Sequence, residues 1–220
     1  MNYSKPIVFL FAMGVSILFV PSISHADIFS PPGLGAGEKY HLVFVTSTTT
    51  TAESSDIDFY NGFVNALAVN AGLGEVDWFV MGSTATVDAR DNALVSAPVY
   101  MFDGTRIADG FDDLWDGTLL AAINRSELND VLADVSVWTG SGSDGFEREA
   151  FGEGATVAFG NTNRTNGQWM RNGFIVRNNE LPLYALSAEL TAVPEPSSIA
   201  LVVIAAIGIG FRRPRRNTEI

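Results

Sequence analysis

The sequence predicts an α+β domain, and three observations carry that expectation. An apolar strand-like run opens the domain, a single long helix-period stretch follows it, and many short strand-like segments separated by Gly, Asn and Asp fill the rest. No internal repeat interrupts this order. Cysteine is absent, so the fold has no disulfides and depends on an ordinary hydrophobic core. The aromatic residues, 11% of the chain, can supply one.

The opening segment, Tyr40-His41-Leu42-Val43-Phe44-Val45-Thr46-Ser47, reads as a buried strand. A Thr/Ser-rich loop leads to a helix start, where Ser55 and Asp58 have capping-box spacing and Asp56 and Asp58 suit the positive helix end. Ile57, Tyr60, Phe63, Val64, Leu67 and Ala71 then recur at three- and four-residue steps, and Gly72 and Gly74 end the helix. Residues 78–81 read as a short strand and 83–91 as a second helix. Residues 98–102 are a strand turned by Asp103-Gly104. Strand-like segments follow at 135–138, 155–159, 174–176 and 181–187, the last alternating apolar and polar residues.

The two ends have a different character. Lys5 precedes an apolar run at 7–20, Pro21 breaks it, and Ser24-His25-Ala26 places small residues at −3 and −1 before Asp27. This is a secretory signal peptide over residues 1–26, cleaved by signal peptidase between Ala26 and Asp27. Residues 27–39 read as a linker, 40–190 as the folded ectodomain and 191–220 as a terminal segment. That segment holds Val193-Pro194-Glu195-Pro196, an apolar helix at 199–211, and Arg212, Arg213, Arg215 and Arg216. Thirteen apolar residues cover only about 20 Å of a roughly 30 Å hydrocarbon core. By physics alone this is a weak stop-transfer segment, oriented by arginines that stay cytoplasmic.

The order Pro-Glu-Pro, apolar helix, arginine cluster resembles a PEP-CTERM sorting signal. The resemblance implies a substrate of exosortase, a membrane peptidase that removes the segment near the Pro-Glu-Pro. It implies export by a Gram-negative bacterium, a transient tether to the inner membrane, and a final place on the outer surface or in the exopolysaccharide matrix. The two prolines hold the motif extended, as a peptidase cleft requires. A plain tail anchor is the alternative.

The ectodomain resembles the C-type-lectin-like fold, in a bacterial branch related to endostatin. The resemblance rests on residues 42–47, the helix end at 68–73, Phe102-Asp103-Gly104-Thr105, Asp113-Leu114-Trp115-Asp116-Gly117-Thr118, Val137-Trp138-Thr139-Gly140 through Asp144-Gly145, and Leu183-Tyr184-Ala185. It implies that residues 41–46 lie beside 183–188. The branch carries a cysteine after its final tyrosine, where this chain has Ala185.

Charge and residue types narrow the chemistry. Residues 27–196 hold 24 acidic and eight basic residues, a net charge of −16. Such a field repels phosphate backbones, so nucleic acid is excluded as a partner. Beyond the signal peptide only His41 remains, and its neighbours suit a structural hydrogen bond. With no cysteine either, Cys/His nucleophilic pairs and imidazole-rich zinc sites are excluded. Asp103, Asp109, Asp112, Asp113 and Asp116 could supply oxygens to calcium, although they lack the rhythm of a calcium loop. The competing reading is that they cap turns and pair with Arg106 or Arg125. Glu147, Glu149 and Glu153 could be imagined as glycosidase carboxylates, but their Gly/Ser-rich loop suits solvated charge. Asn166, Gln168, Trp169 and Asn172 form the best polar–aromatic ligand patch. The expectation is a non-enzymatic surface or matrix protein with glycans as partners. A calcium-assisted lectin module is the first alternative, and a polysaccharide-active enzyme the second.

Overall fold

Strand β1 (Lys39–Val45) is the axis of the molecule because its neighbours claim both of its edges. The computed structural model describes residues 29–193. The predicted signal peptide with Ala26 and Asp27 lies outside them. So does the sorting segment from Pro194 onward, with Glu195, Pro196, the apolar run at 199–211, Arg212, Arg213, Arg215 and Arg216. Among the described residues no helix is long and apolar enough to cross a membrane.

β1 pairs antiparallel with β8 (Tyr184–Ser187), aligning Val43 with Leu186 and Val45 with Tyr184. This is the juxtaposition of first and last segments that the sequence led us to expect. On its other edge β1 runs parallel to β3 (Val99–Tyr100), which turns through Asp103 and Gly104 into β4 (Arg106–Ala108). β2 (Trp78–Val80) closes the far side by pairing with β8, giving the order β2-β8-β1-β3-β4. The start of β1 also pairs with β9 (Leu190–Thr191). A second sheet has the order β5 (Ser136–Trp138), β6 (Thr156–Asn161), β7 (Gly173–Val176). The mixed α+β class is as expected.

Strand alternation divides the interior into two cores. Val43, Val45, Tyr184 and Leu186 enter one, with Trp115, Trp169 and Ile107. Leu42, Phe44, Leu183 and Ala185 enter the other, with Trp78, Trp138 and Phe151. Helix α1 (Ile57–Asn70) packs Tyr60, Val64 and Ala68 into the second core. Its N-cap is Asp56, whose side chain accepts from the Asp58 N–H, in place of the Ser55 box. The helix closes with Gly72 N–H to Val69 O and Leu73 N–H to Ala68 O, a Schellman pair. The second helix, α2 (Ala89–Asn92), is one turn long and starts later than expected, because residues 83 and 84 are occupied in contacts to residues 139 and 151. The short helix α3 (Phe111–Leu114) and strands β4 and β9 were not anticipated.

The packed unit is longer than residues 40–190. Phe29 approaches Phe102 edge-on at 6.5 Å, and Tyr40 donates its hydroxyl to the Phe29 carbonyl. Gly37 N–H bonds Ala192 O, and Ala192 N–H bonds Glu38 O. Residues 29–38, expected as linker, are therefore part of the fold, fastened by an aromatic contact and by the closing strand.

Strand β2 is an edge strand, and its outward backbone groups are met by amides. Asn65 donates to Trp78 O and accepts from Trp78 N–H; Asn61 accepts from Val80 N–H; Asn92 donates to Val80 O. Asn61 and Asn92 also exchange amide hydrogen bonds. Three asparagines from two helices thus stand in for a missing strand. Asn61→Ala leaves the Val80 N–H without its partner and is expected to lower unfolding free energy by about 2–3 kcal/mol. Urea denaturation monitored by tryptophan fluorescence measures it, and a loss below measurement error would show that the amide ladder is dispensable.

His41 on β1 is buried at 1% exposure. Its Nδ1 lies 2.9 Å from Ser187 O, to which it donates, and its Nε2 accepts from Ser96 N–H at 3.1 Å. Ser96 in turn donates to Glu189, which pairs with Lys39 at 2.9 Å. Burial pushes the imidazole below its ordinary value, outweighing the Ser187 bond and the nearby Glu189 charge. The unfolded chain therefore binds this proton first on acidification. Stability from neutral His41 is complete above about pH 6.5 and is lost as pH falls through the depressed folded value. Between about pH 7 and 5, Tm is expected to fall in the native protein and to vary less in His41→Gln. Parallel slopes in the two proteins would remove His41 from the account.

Candidate functional site

Two chain segments far apart in sequence meet at one open cleft of about 590 Å³. Gly142, Ser143, Asp144 and Arg148 come from the loop after β5. Asn166, Gly167, Gln168 and Arg171 come from the turn between β6 and β7. A short 3-10 turn (Gly167–Trp169) orders the second group, with Asn166 accepting from the Gln168 N–H at its start.

The first loop is held by charge and rings. Arg90 of α2 lies between the rings of Phe111 and Phe146, 4.7 and 4.6 Å from their centroids. Its guanidinium also donates to Asp144 O, and its backbone N–H donates to Gly145 O. Asp88 accepts from the Glu147 N–H at 2.7 Å. At Gly145 (φ +76°) any side chain would press on Trp115 and Arg90, at 2.7 and 2.8 Å. The loop therefore lies flat against the tryptophan, and the compact charged cluster at 88–92 acts as its anchor.

The second loop is held by burial. Trp169 is fully buried, with Trp115 at 6.0 Å and Tyr184 at 5.8 Å between ring centroids. A side chain at Gly160 would collide with the Trp169 carbonyl, so this glycine lets the turn sit directly on β6. Of the four residues expected as a ligand patch, Asn166 and Gln168 line the cleft and Asn172 is exposed beside it. Trp169 presents no face to a ligand. It is the core support of the patch, because close approach of the turn to β6 drives its ring inward. Burial leaves Tyr184, in the same stack, with its hydroxyl pushed above the ordinary tyrosine range.

The cleft is polar and its charges are countered. Arg148 lies 3.5 Å from Asp144, and Arg171 lies 2.8 Å from Glu149. Glu147, Glu149 and Glu153 are all exposed, as solvated carboxylates are. The lining groups are hydroxyl, amide and guanidinium with the Asp144 carboxylate, suited to multiple hydrogen bonds.

The carboxylates of residues 103–116 are directed to local partners. Asp103 accepts from the Thr105 N–H at 2.9 Å and pairs with Arg125 at 3.1 Å. Desolvation raises its pKa, but the Thr105 bonds and the Arg125 charge outweigh this and hold it below the usual range. Asp109 pairs with Arg106 at 2.8 Å, Asp113 accepts from the Asp109 N–H, and Asp116 from the Thr118 N–H and hydroxyl. Asp112 is exposed. Among the described residues no group of three or more His, Cys, Asp or Glu is placed to hold a metal ion.

The last described residues lie at the start of the processing signal. Among the described residues Ala192 is the last one fastened to β1's side of the sheet, and Val193 is exposed. No curated protein matches the chain. Residues 192–216 match the PEP-CTERM protein-sorting motif, the mark of an exported protein that exosortase sorts to the cell surface.

Proposed function

We propose that this is a non-catalytic interaction protein of the cell surface or exopolysaccharide matrix, and that its C-type-lectin-like domain binds saccharide at the Ser143–Gln168 cleft. The observation that carries this reading is the lining of that cleft. Ser143, Asn166, Gln168, Arg148 and Arg171 offer hydroxyl, amide and guanidinium groups on loops held by buried aromatics. Saccharides present many hydroxyls and need such donors and acceptors in a fixed arrangement. The antiparallel pairing of the first strand with β8, the early helix and the long loops support the lectin-like reading. Signal peptidase and exosortase act on the chain as processing enzymes, and the inner membrane holds it only until sorting.

Calcium has no part in this reading, since Asp103, Asp109, Asp113 and Asp116 are each engaged by a backbone or hydroxyl donor or an arginine, which leaves Asp112 alone. Calcium at about 100-fold over a micromolar affinity would add about 2.7 kcal/mol of stability. We expect the Tm to be unchanged on calcium addition and on chelation; a rise with calcium would restore the metal-assisted alternative.

The binding claim is tested on exopolysaccharide from the producing organism. The native protein is expected to be retained on the immobilised polymer, and Asn166→Ala/Gln168→Ala to lose about tenfold in affinity with Tm unchanged. Incubation with the polymer is expected to release no new reducing ends. Equal retention of the variant would remove the cleft from the reading, and new reducing ends would turn it towards an enzyme.

A further inference from the structure

From Gly154 to Asn179 the chain contains no Asp or Glu, in a protein whose residues 27–196 carry −16. The same 26 residues carry Arg164, Arg171 and Arg177 and seven Asn or Gln. They form β6, the 3-10 turn and β7. We infer that this acid-free hairpin holds an acidic polysaccharide, one with sugar carboxylates, lying along β7 between two clefts. The inference rests on the saccharide reading above and specifies its ligand class.

Geometry joins the parts. The first cleft contains Asn166, Gln168 and Arg171, just before β7. A second cleft of about 380 Å³ contains Val176, Arg177 and Asn178, just after it. β7 spans about 13 Å between them at the strand rise of about 3.3 Å per residue. It is an edge strand of its sheet, and Phe174 and Val176, on one face of it, are 61% and 49% exposed. A ring in that position suits the apolar face of a sugar.

Part of this strip is uncommitted, although Arg171 pairs with Glu149, Asn161 donates to Asp134 and Asn179 donates to the Val176 carbonyl. Asn163, Arg164, Gln168, Asn172 and Asn178 make no side-chain hydrogen bond or ion pair among the described residues. Arg177 donates to the Gly152 carbonyl at 3.1 Å rather than to a carboxylate. The facing carboxylates are Asp134 on Asn161, Asp144 near Arg148, Glu149 on Arg171, and Glu53 in the second cleft. A guanidinium fork matches a carboxylate, and an amide both donates to and accepts from hydroxyls. The remaining acidic surface opposes any polyanion, but its reach is cut to about 8 Å at physiological salt, so the acid-free hairpin is where an acidic polymer meets least repulsion. A second copy of the chain is a poorer fit. Two apolar side chains on a four-residue strand fall far short of the roughly 800 Å² per partner of a stable interface.

The test uses the full-length protein in neutral detergent, with polygalacturonate and dextran as acidic and neutral probes. Polygalacturonate is expected to bind more tightly than dextran and to weaken as salt rises from about 50 to 300 mM. Arg164→Gln, which removes no internal contact, is expected to weaken polygalacturonate binding up to about fivefold and leave dextran unchanged. Phe174→Ala is expected to weaken both. Equal binding of the two polymers, or binding insensitive to salt, overturns the acidic assignment and leaves the saccharide reading standing. Binding of neither polymer, with the producer's own polymer retained, also overturns it; failure on all three overturns both. A dimer in sedimentation that Phe174→Ala dissociates assigns the strip to a second copy instead.

Discussion

Everything in this fold depends on β1 being buried on both faces. Its odd-numbered residues Val43 and Val45 enter one core, and its even-numbered Leu42 and Phe44 enter the other. β8 divides in the same way, so the β1–β8 pair is a wall with a separate hydrophobic core on each side. A slip of one residue in this pairing would exchange the two sets of side chains at once, which strongly specifies the register. Without disulfides, the two cores and their shared wall carry the stability.

That wall also separates the two ends of the molecule's business. β1 begins beside β9, the last strand before the sorting motif, and ends where Thr46 and Trp138 meet the Pro182–Leu183 backbone. Seven residues of strand put about 23 Å between those points. The sheet that supports the cleft starts from the second point, so the processing signal leaves from one end of β1 and the cleft is built near the other.

Much of the scaffold was legible locally. The strand at β1, the helix α1 and its glycine-ended terminus, and the β8 segment are each specified by periodicity over several residues. The tryptophans were harder. Trp115 and Trp169 both lie within glycine-rich, loop-like sequence, yet both are buried. Glycines at 145 and 160 explain this, because they let backbone approach within contact distance of the rings or of the turn that carries them. No local pattern reports such an approach. Strands β4 and β9 escaped notice for a related reason: at three and two residues they are defined by their partners and not by their own alternation.

The sequence alone determined the C-terminal sorting motif, the acidic balance, the lack of disulfides and of Cys/His pairs, and the placing of the main strands and helix. These follow from composition, charge and short-range periodicity, which need no knowledge of neighbours. Only the tertiary structure decided that residues 142–148 and 166–171 share a cleft, that Trp169 supports that cleft instead of lining it, and that asparagines cover the edge of β2. Each of these depends on which segments touch across long chain separations. Contact of that kind is set by how two cores pack against one wall, and no single stretch of the chain encodes it.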